Sequence, residues 1–173
     1  MRFVITGEWN RNRLLQTIIA CYALYVCALW LTNALLYFSK MGLTTASVVE
    51  YYLGSEEQFL PARSYQGLLE VSHFHLFAMG MLLLVLTHLM LFVPLRPGLK
   101  AWLIAAPFLS GLLDEGAGWL VRFVHPGFAY AKLAGFALLQ TSLAVLVALS
   151  LWAVLSGSQG NYETDDEEQP ASP

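Results

Sequence analysis

Four long apolar runs, Leu14 to Phe38, Leu68 to Val93, Ala101 to Val124 and Phe128 to Leu155, alternate with short polar or charged clusters along the chain. Each run can cross roughly 30 Å of hydrocarbon as a helix rising ~1.5 Å per residue. A segment in lipid must satisfy its own backbone hydrogen bonds, so all four are predicted to be helices. The joints are rich in helix stoppers: Pro94-Leu-Arg-Pro-Gly between the second and third runs, His125-Pro-Gly between the third and fourth. Joints this short make antiparallel neighbours. The expected fold is all-α, an integral-membrane four-helix up-down bundle over residues 14–155 with spans 14–38, 68–93, 101–124 and 128–155.

The first long loop, Ser39 to Gly67, has room for an element of its own. Within it, Thr44-Thr-Ala-Ser-Val-Val-Glu-Tyr-Tyr-Leu-Gly has a capping start, an amphipathic body and a glycine stop. This predicts a short amphipathic helix on the membrane surface, with Tyr51 and Tyr52 at headgroup depth. Residues 156–173 are polar and acidic and are expected to form a disordered tail.

Composition agrees with the pattern. The chain is 57% apolar and 12% charged, with a mean hydropathy of +0.58, too apolar for a water-soluble domain. The net charge of −3 sits mainly in the tail and leaves no basic stripe for a phosphate backbone, which argues against nucleic-acid binding. Arg2, Arg11 and Arg13 make residues 1–13 a basic N-terminus, and Arg96 and Lys100 fill the second joint. The positive-inside bias then predicts that both termini and that joint are cytoplasmic, in a multi-pass protein of the bacterial inner membrane. The Ser39 to Gly67 loop and the His125 turn would be periplasmic. The first run is too long for a secretory signal and lacks a small-residue cleavage pattern. Cys21 and Cys27 lie ~9 Å apart along that span, too far to pair, and are read as small apolar packers.

Ionisable groups inside a span are expensive, so each asks for a reason. The second run opens with Glu70-Val-Ser-His73-Phe-His75 and carries His88 near its far end. At about 100° per residue, Glu70, His73, Phe77, Met81 and His88 share one face, and His75 points elsewhere. The third run carries Asp114 and Glu115 near the bilayer midplane, and Pro107, Gly111, Asp114, Gly118 and His125 share a stripe about 60° wide with Arg122 on its shoulder. Two readings fit the stripe. In one, small residues let helices pack closely and Asp114 is protonated or bonded to Asn33 or Lys132. In the other, Gly111 and Gly118 make room for a flat cofactor or a quinone head while Asp114 and Glu115 relay protons.

His73, His75 and His125 lie toward the ends where two antiparallel spans meet. Glu70 stands three residues before His73, the spacing of helical metal ligands, so Glu70, His73, His75 and His125 form a candidate metal set. Haem b is the alternative occupant, held by His73 or His75 and His125. Membrane four-helix bundles of the cytochrome b type hold haem between histidines of neighbouring helices with glycines opposite the ring. The chain resembles them in this respect alone, because His88 has no histidine at its level to complete a second haem.

The stretches Leu69-Glu-Val-Ser-His-Phe-His-Leu-Phe-Ala-Met and Leu113-Asp-Glu-Gly-Ala-Gly-Trp-Leu-Val-Arg-Phe-Val-His-Pro-Gly-Phe-Ala resemble a group of short four-span bacterial membrane proteins. The likeness covers about residues 14 to 155. It implies the membrane topology, marks His73, His75, Asp114, Trp119 and Arg122 as matching positions, the last two as structural or interface residues, and implies no reaction.

Three functions follow from these residues. The first is a membrane redox protein, a haem b electron carrier or quinone-interacting anchor working with a membrane or periplasmic redox partner, with Tyr22, Tyr25 and Trp119 as cavity walls. The second is a non-catalytic subunit or assembly factor of a larger membrane complex. The third is a metal-binding membrane enzyme or transporter. No Cys-x-x-Cys-His, glycine-rich nucleotide loop or Ser or Cys nucleophile motif is present, which argues against hydrolase and kinase chemistry.

Overall fold

The computed structural model describes residues 13–155, so the acidic tail and all but Arg13 of the basic N-terminus lie outside the described residues. Within that range are α1 (Arg13–Phe38), α2 (Thr45–Leu53), α3 (Tyr65–Leu89), α4 (Pro97–Phe123) and α5 (Ala129–Leu155), with 3-10 turns at Met90–Phe92 and Pro126–Phe128. No strand occurs among the described residues, only an isolated bridge between Ser55 and Leu60. The predicted runs reappear as α1, α3, α4 and α5.

Local chemistry sets the ends. The Thr44 hydroxyl accepts the Ser47 N–H at 3.3 Å to start α2, and the Ser64 hydroxyl accepts the Gly67 N–H at 3.0 Å to start α3. Gly54 stops α2 at φ 83°, where a Cβ would meet the Pro61 carbonyl carbon at 2.9 Å, so only glycine fits. Pro97 opens α4, where its missing N–H is no loss.

Three helices, Gln16–Phe38, Tyr65–Leu89 and Pro126–Ala153, are long and apolar enough to cross a membrane. The fourth long helix, α4, is less apolar because it carries Lys100, Asp114, Glu115 and Arg122. Cross-contacts fix the directions. Trp119 reaches Ser72 whereas Gly111 abuts Met79, so α4 runs antiparallel to α3. Tyr37 stacks on Phe136 with centroids 4.0 Å apart and Trp30 donates to Gln140, so α1 runs antiparallel to α5. Together with the tight turn between α4 and α5, these contacts give the expected up-down order.

Two apolar clusters hold the helices together. One gathers Val26 of α1, Leu83, Leu86 and Met90 of α3 and its following turn, and Leu139, Leu143 and Leu146 of α5. The other gathers Val48 and Tyr52 of α2 with Leu68, Val121 and Ala129. The second cluster shows how the predicted short helix is held: α2 is packed onto α4 and α5, and Tyr52 is buried with its ring against Gly118. Leu68, Ser72, Leu83 and Leu86 form the buried stripe, while Phe77 (72% exposed) and Met81 (50%) look outward together with Glu70 and His73. Apolar burial, not the polar stripe, set the rotation of this helix. Cys21 and Cys27 are both exposed, so they are not packers within the bundle.

Helices α4 and α5 approach closely. A Cβ on Gly135 would lie 2.7 Å from the Asp114 nitrogen and 2.9 Å from its Cα, backbone atoms that cannot swing aside. Gly116, by contrast, has open space where a Cβ would go. Gly135→Ala should therefore lower stability by about 1–3 kcal/mol through overpacking, and Gly116→Ala should not. Unfolding of the two variants side by side in detergent checks this.

Candidate functional site

The polar residues of α4 gather at one level and divide between two neighbouring helices. Toward α3, Trp119 Nε1–H donates to Ser72 Oγ at 2.8 Å, and the Ser72 hydroxyl donates to Glu115 Oε1 at 2.5 Å. The other carboxylate oxygen, Oε2, faces His75 Nδ1 at 3.2 Å. Glu115 is mostly buried, its side chain 14% exposed, whereas His75 is 55% exposed. With Nδ1–H donated to the carboxylate, the neutral imidazole carries its lone pair on Nε2.

Toward α5, Lys132 Nζ stands 2.8 Å from Asp114 Oδ1 and donates to the Asp114 backbone carbonyl at 3.1 Å. Both side chains are largely buried, at 8% and 16% exposure. Gly135 brings α5 close enough for this reach, since Lys132 precedes it by about one turn. Tyr52 closes the near side. Its burial, and then the neighbouring Asp114 carboxylate, push the phenol above its ordinary range and keep it protonated.

The glycines expected to make room for a cofactor are already filled. A Cβ on Gly118 would fall 2.8 Å from Tyr52 Cζ, and one on Gly111 would fall 2.9 Å from Met79 Cε. Gly111 and Gly118 therefore accommodate side chains of this chain, Met79 and Tyr52. Of the two partners expected for Asp114, Lys132 is the one that pairs with it.

The histidines turn to separate surroundings. His73 is exposed, its ring 5.8 Å from that of Phe74, and Glu70 accepts a hydrogen bond from Gln66 Nε2 one turn back at 3.0 Å. His125 caps the turn into α5, its Nδ1 accepting the Gly127 N–H at 2.9 Å. Among the described residues no three His, Cys, Asp or Glu side chains gather in a group able to hold a metal ion. The set Glu70, His73, His75 and His125 is accordingly not brought together, because Glu70 and His73 look outward from α3, His75 turns to α4, and His125 serves the turn. His75, which the helical projection placed off the working face, is the histidine that meets a carboxylate.

Arg122 donates through Nε to the Arg63 carbonyl at 2.7 Å and ties the loop before α3 to the end of α4. Trp119 packs edge-on against the ring of Tyr65, with centroids 5.5 Å apart, beside its hydrogen bond to Ser72. Ser72, Gly135 and Tyr52 were not expected at the site. Ser72 was findable from the spacing of Leu68, Ser72, Leu83 and Leu86, since a hydroxyl on an otherwise apolar stripe needs a polar partner across it.

Residues 42–161 match the Aq_1264_TM family, described as a transmembrane helical domain. The chain belongs to this family. No curated protein and no solved structure matches it. The match carries no likeness to cytochrome b-type proteins. It begins after α1 and includes every residue of the polar network, so this transmembrane helical domain contains both the Ser72–Glu115–His75 chain and the Asp114–Lys132 pair.

Lys132→Met would leave Asp114 a buried carboxylate without its cation, and stability should fall by about 3–5 kcal/mol. Adding Asp114→Leu removes the orphaned charge and should recover most of that loss. Detergent unfolding of the single and double variants checks the order, and equal losses in both would show that the pair carries no electrostatic coupling.

Proposed function

We propose that this protein is a non-catalytic subunit or assembly factor of a larger complex in the bacterial inner membrane. In this reading α4 crosses the bilayer with α1, α3 and α5, and both termini are cytoplasmic. The observation that supports it most is the internal pairing of α4: Asp114 with Lys132, Glu115 with Ser72 and His75, Gly118 with Tyr52. Polar groups that satisfy one another across helices fix an arrangement of helices in lipid. Large apolar side chains such as Leu24, Tyr25 and Phe74 are widely exposed and offer lipids or a membrane partner apolar lateral surface.

The haem-carrier reading asks for two histidines facing one ring, and the ring of His125 is engaged with the Gly127 N–H. The metal reading asks for a converging ligand set that Glu70, His73 and His125 do not make.

Extracted from its membrane in a mild detergent, the chain should migrate with a partner in fixed ratio, and its reduced-minus-oxidised spectrum should show no haem bands. Migration as a lone monomer together with a Soret band that disappears in His73→Ala would replace this reading with the haem carrier. A reporter fused after Ser156 should be cytoplasmic, and a periplasmic readout would reverse the orientation.

A further inference from the structure

The loop that joins α2 to α3 contains a tight turn. Ser55 and Leu60 pair as an antiparallel bridge, the Ser55 N–H donating to the Leu60 carbonyl at 3.0 Å and the Leu60 N–H to the Ser55 carbonyl at 2.9 Å. The residues between them, Glu56, Glu57, Gln58 and Phe59, are all exposed. Phe59 closes the turn at φ 55°, and among the described residues it is the only non-glycine with a positive φ. In that left-handed region a bulky side chain is crowded against the backbone, and glycine or asparagine is the usual occupant. Phe59 is also 91% exposed. The fold carries a backbone cost at this position and recovers no burial from the phenyl ring, so the reason for the ring lies outside the chain.

The base of the turn is braced on both sides. Gly54 leaves room for the Pro61 backbone to pass, the Arg63 N–H donates to the Tyr52 carbonyl at 3.0 Å, and Arg122 of α4 holds the Arg63 carbonyl. A ring presented on a braced turn loses little freedom when another surface closes over it, which suits it to anchor an interface.

Charge decides what closes over the ring. Glu56 and Glu57 stand three and two residues before Phe59, and among the described residues neither makes an ion pair. Arg63, the one basic residue of segment 55–64, has its guanidinium 4.1 Å from the centre of the Tyr51 ring. The tip is therefore a phenyl ring beside two carboxylates that no nearby cation neutralises. Anionic lipid headgroups would repel it, whereas an apolar pocket rimmed by lysine or arginine matches both of its parts.

We propose that the Ser55–Leu60 turn docks a partner protein, with Phe59 entering an apolar pocket and Glu56 and Glu57 meeting lysine or arginine on its rim. The proposal deepens the subunit reading and rests on it, since it names the surface by which the partner is held.

Two measurements on the full chain test it. Phe59→Asn suits the left-handed backbone and removes the ring, so its melting temperature in detergent should equal or exceed that of the parent chain while the co-migrating partner falls by about tenfold or more. In the native membrane, p-benzoylphenylalanine in place of Phe59 should photo-cross-link to one protein through a peptide that contains lysine or arginine. Reversing both charges, Glu56→Lys with Glu57→Lys, should cut that adduct by about tenfold or more. A melting temperature lowered by several degrees in Phe59→Asn would show that the ring serves the fold and would overturn the proposal. Adducts with lipid alone, or an undiminished adduct after charge reversal, would overturn it as well. A partner that stays with Phe59→Asn would sink the docking turn and leave the subunit reading standing, whereas a parent chain that holds no partner would end both.

Discussion

The approach of α5 to α4 at Gly135 is the constraint on which the rest of the arrangement depends. The absence of a side chain there lets the α5 backbone come against the Asp114 backbone, and this proximity lets Lys132 reach both the carboxylate and the carbonyl of Asp114. Without a partner across the helix contact, a buried lysine or a buried aspartate would each cost several kcal/mol. Close packing and charge pairing are thus one feature. Small residues let backbones approach in membranes, and polar side chains then act across the short gap.

From that contact the other side of α4 follows. With Asp114 committed to α5, the next residue, Glu115, is rotated by about 100° toward α3, where Ser72 and His75 receive it. Tyr52 fills the remaining side over Gly118, which anchors α2 and turns a loop helix into part of the bundle. Every carboxylate in the middle of α4 has a partner from another helix, which is how a helix less apolar than its neighbours can sit among them. α1 stands apart from this network: it touches the bundle through Val26, Tyr37 and Trp30, and an open groove beside α3 is the consequence of its looser seat.

Much of this was legible in the residues. Long apolar runs, the capping Thr44 and the stopping Gly54 locate the helices within a few positions, because these are local effects. Asp114 and Glu115 stand out because charge in a span is rare, and Lys132 is recognisable as a partner for the same reason. Rotation about the helix axis was not legible. The face of α3 was assigned from Glu70 and His73, but both look outward, since the larger aliphatic residues Leu68, Leu83 and Leu86 claim the interior. The glycine stripe on α4 was ambiguous in principle, because a glycine opposite a ligand and a glycine opposite a tyrosine read alike. Gly135 carries no mark at all in a helix rich in alanine and leucine, and only the backbone of α4 gives it meaning.

The most direct measurement is a solid-state NMR recoupling experiment in hydrated bilayers between isotope-labelled Lys132 Nζ and Asp114 Cγ. Contact at the 2.8 Å nitrogen-to-oxygen separation of the pair predicts strong, rapid dephasing between the two labels. Absence of dephasing, with the protein folded and inserted, would contradict the account, since α4 and α5 would then not be held at the distance on which the Glu115 and Tyr52 contacts depend.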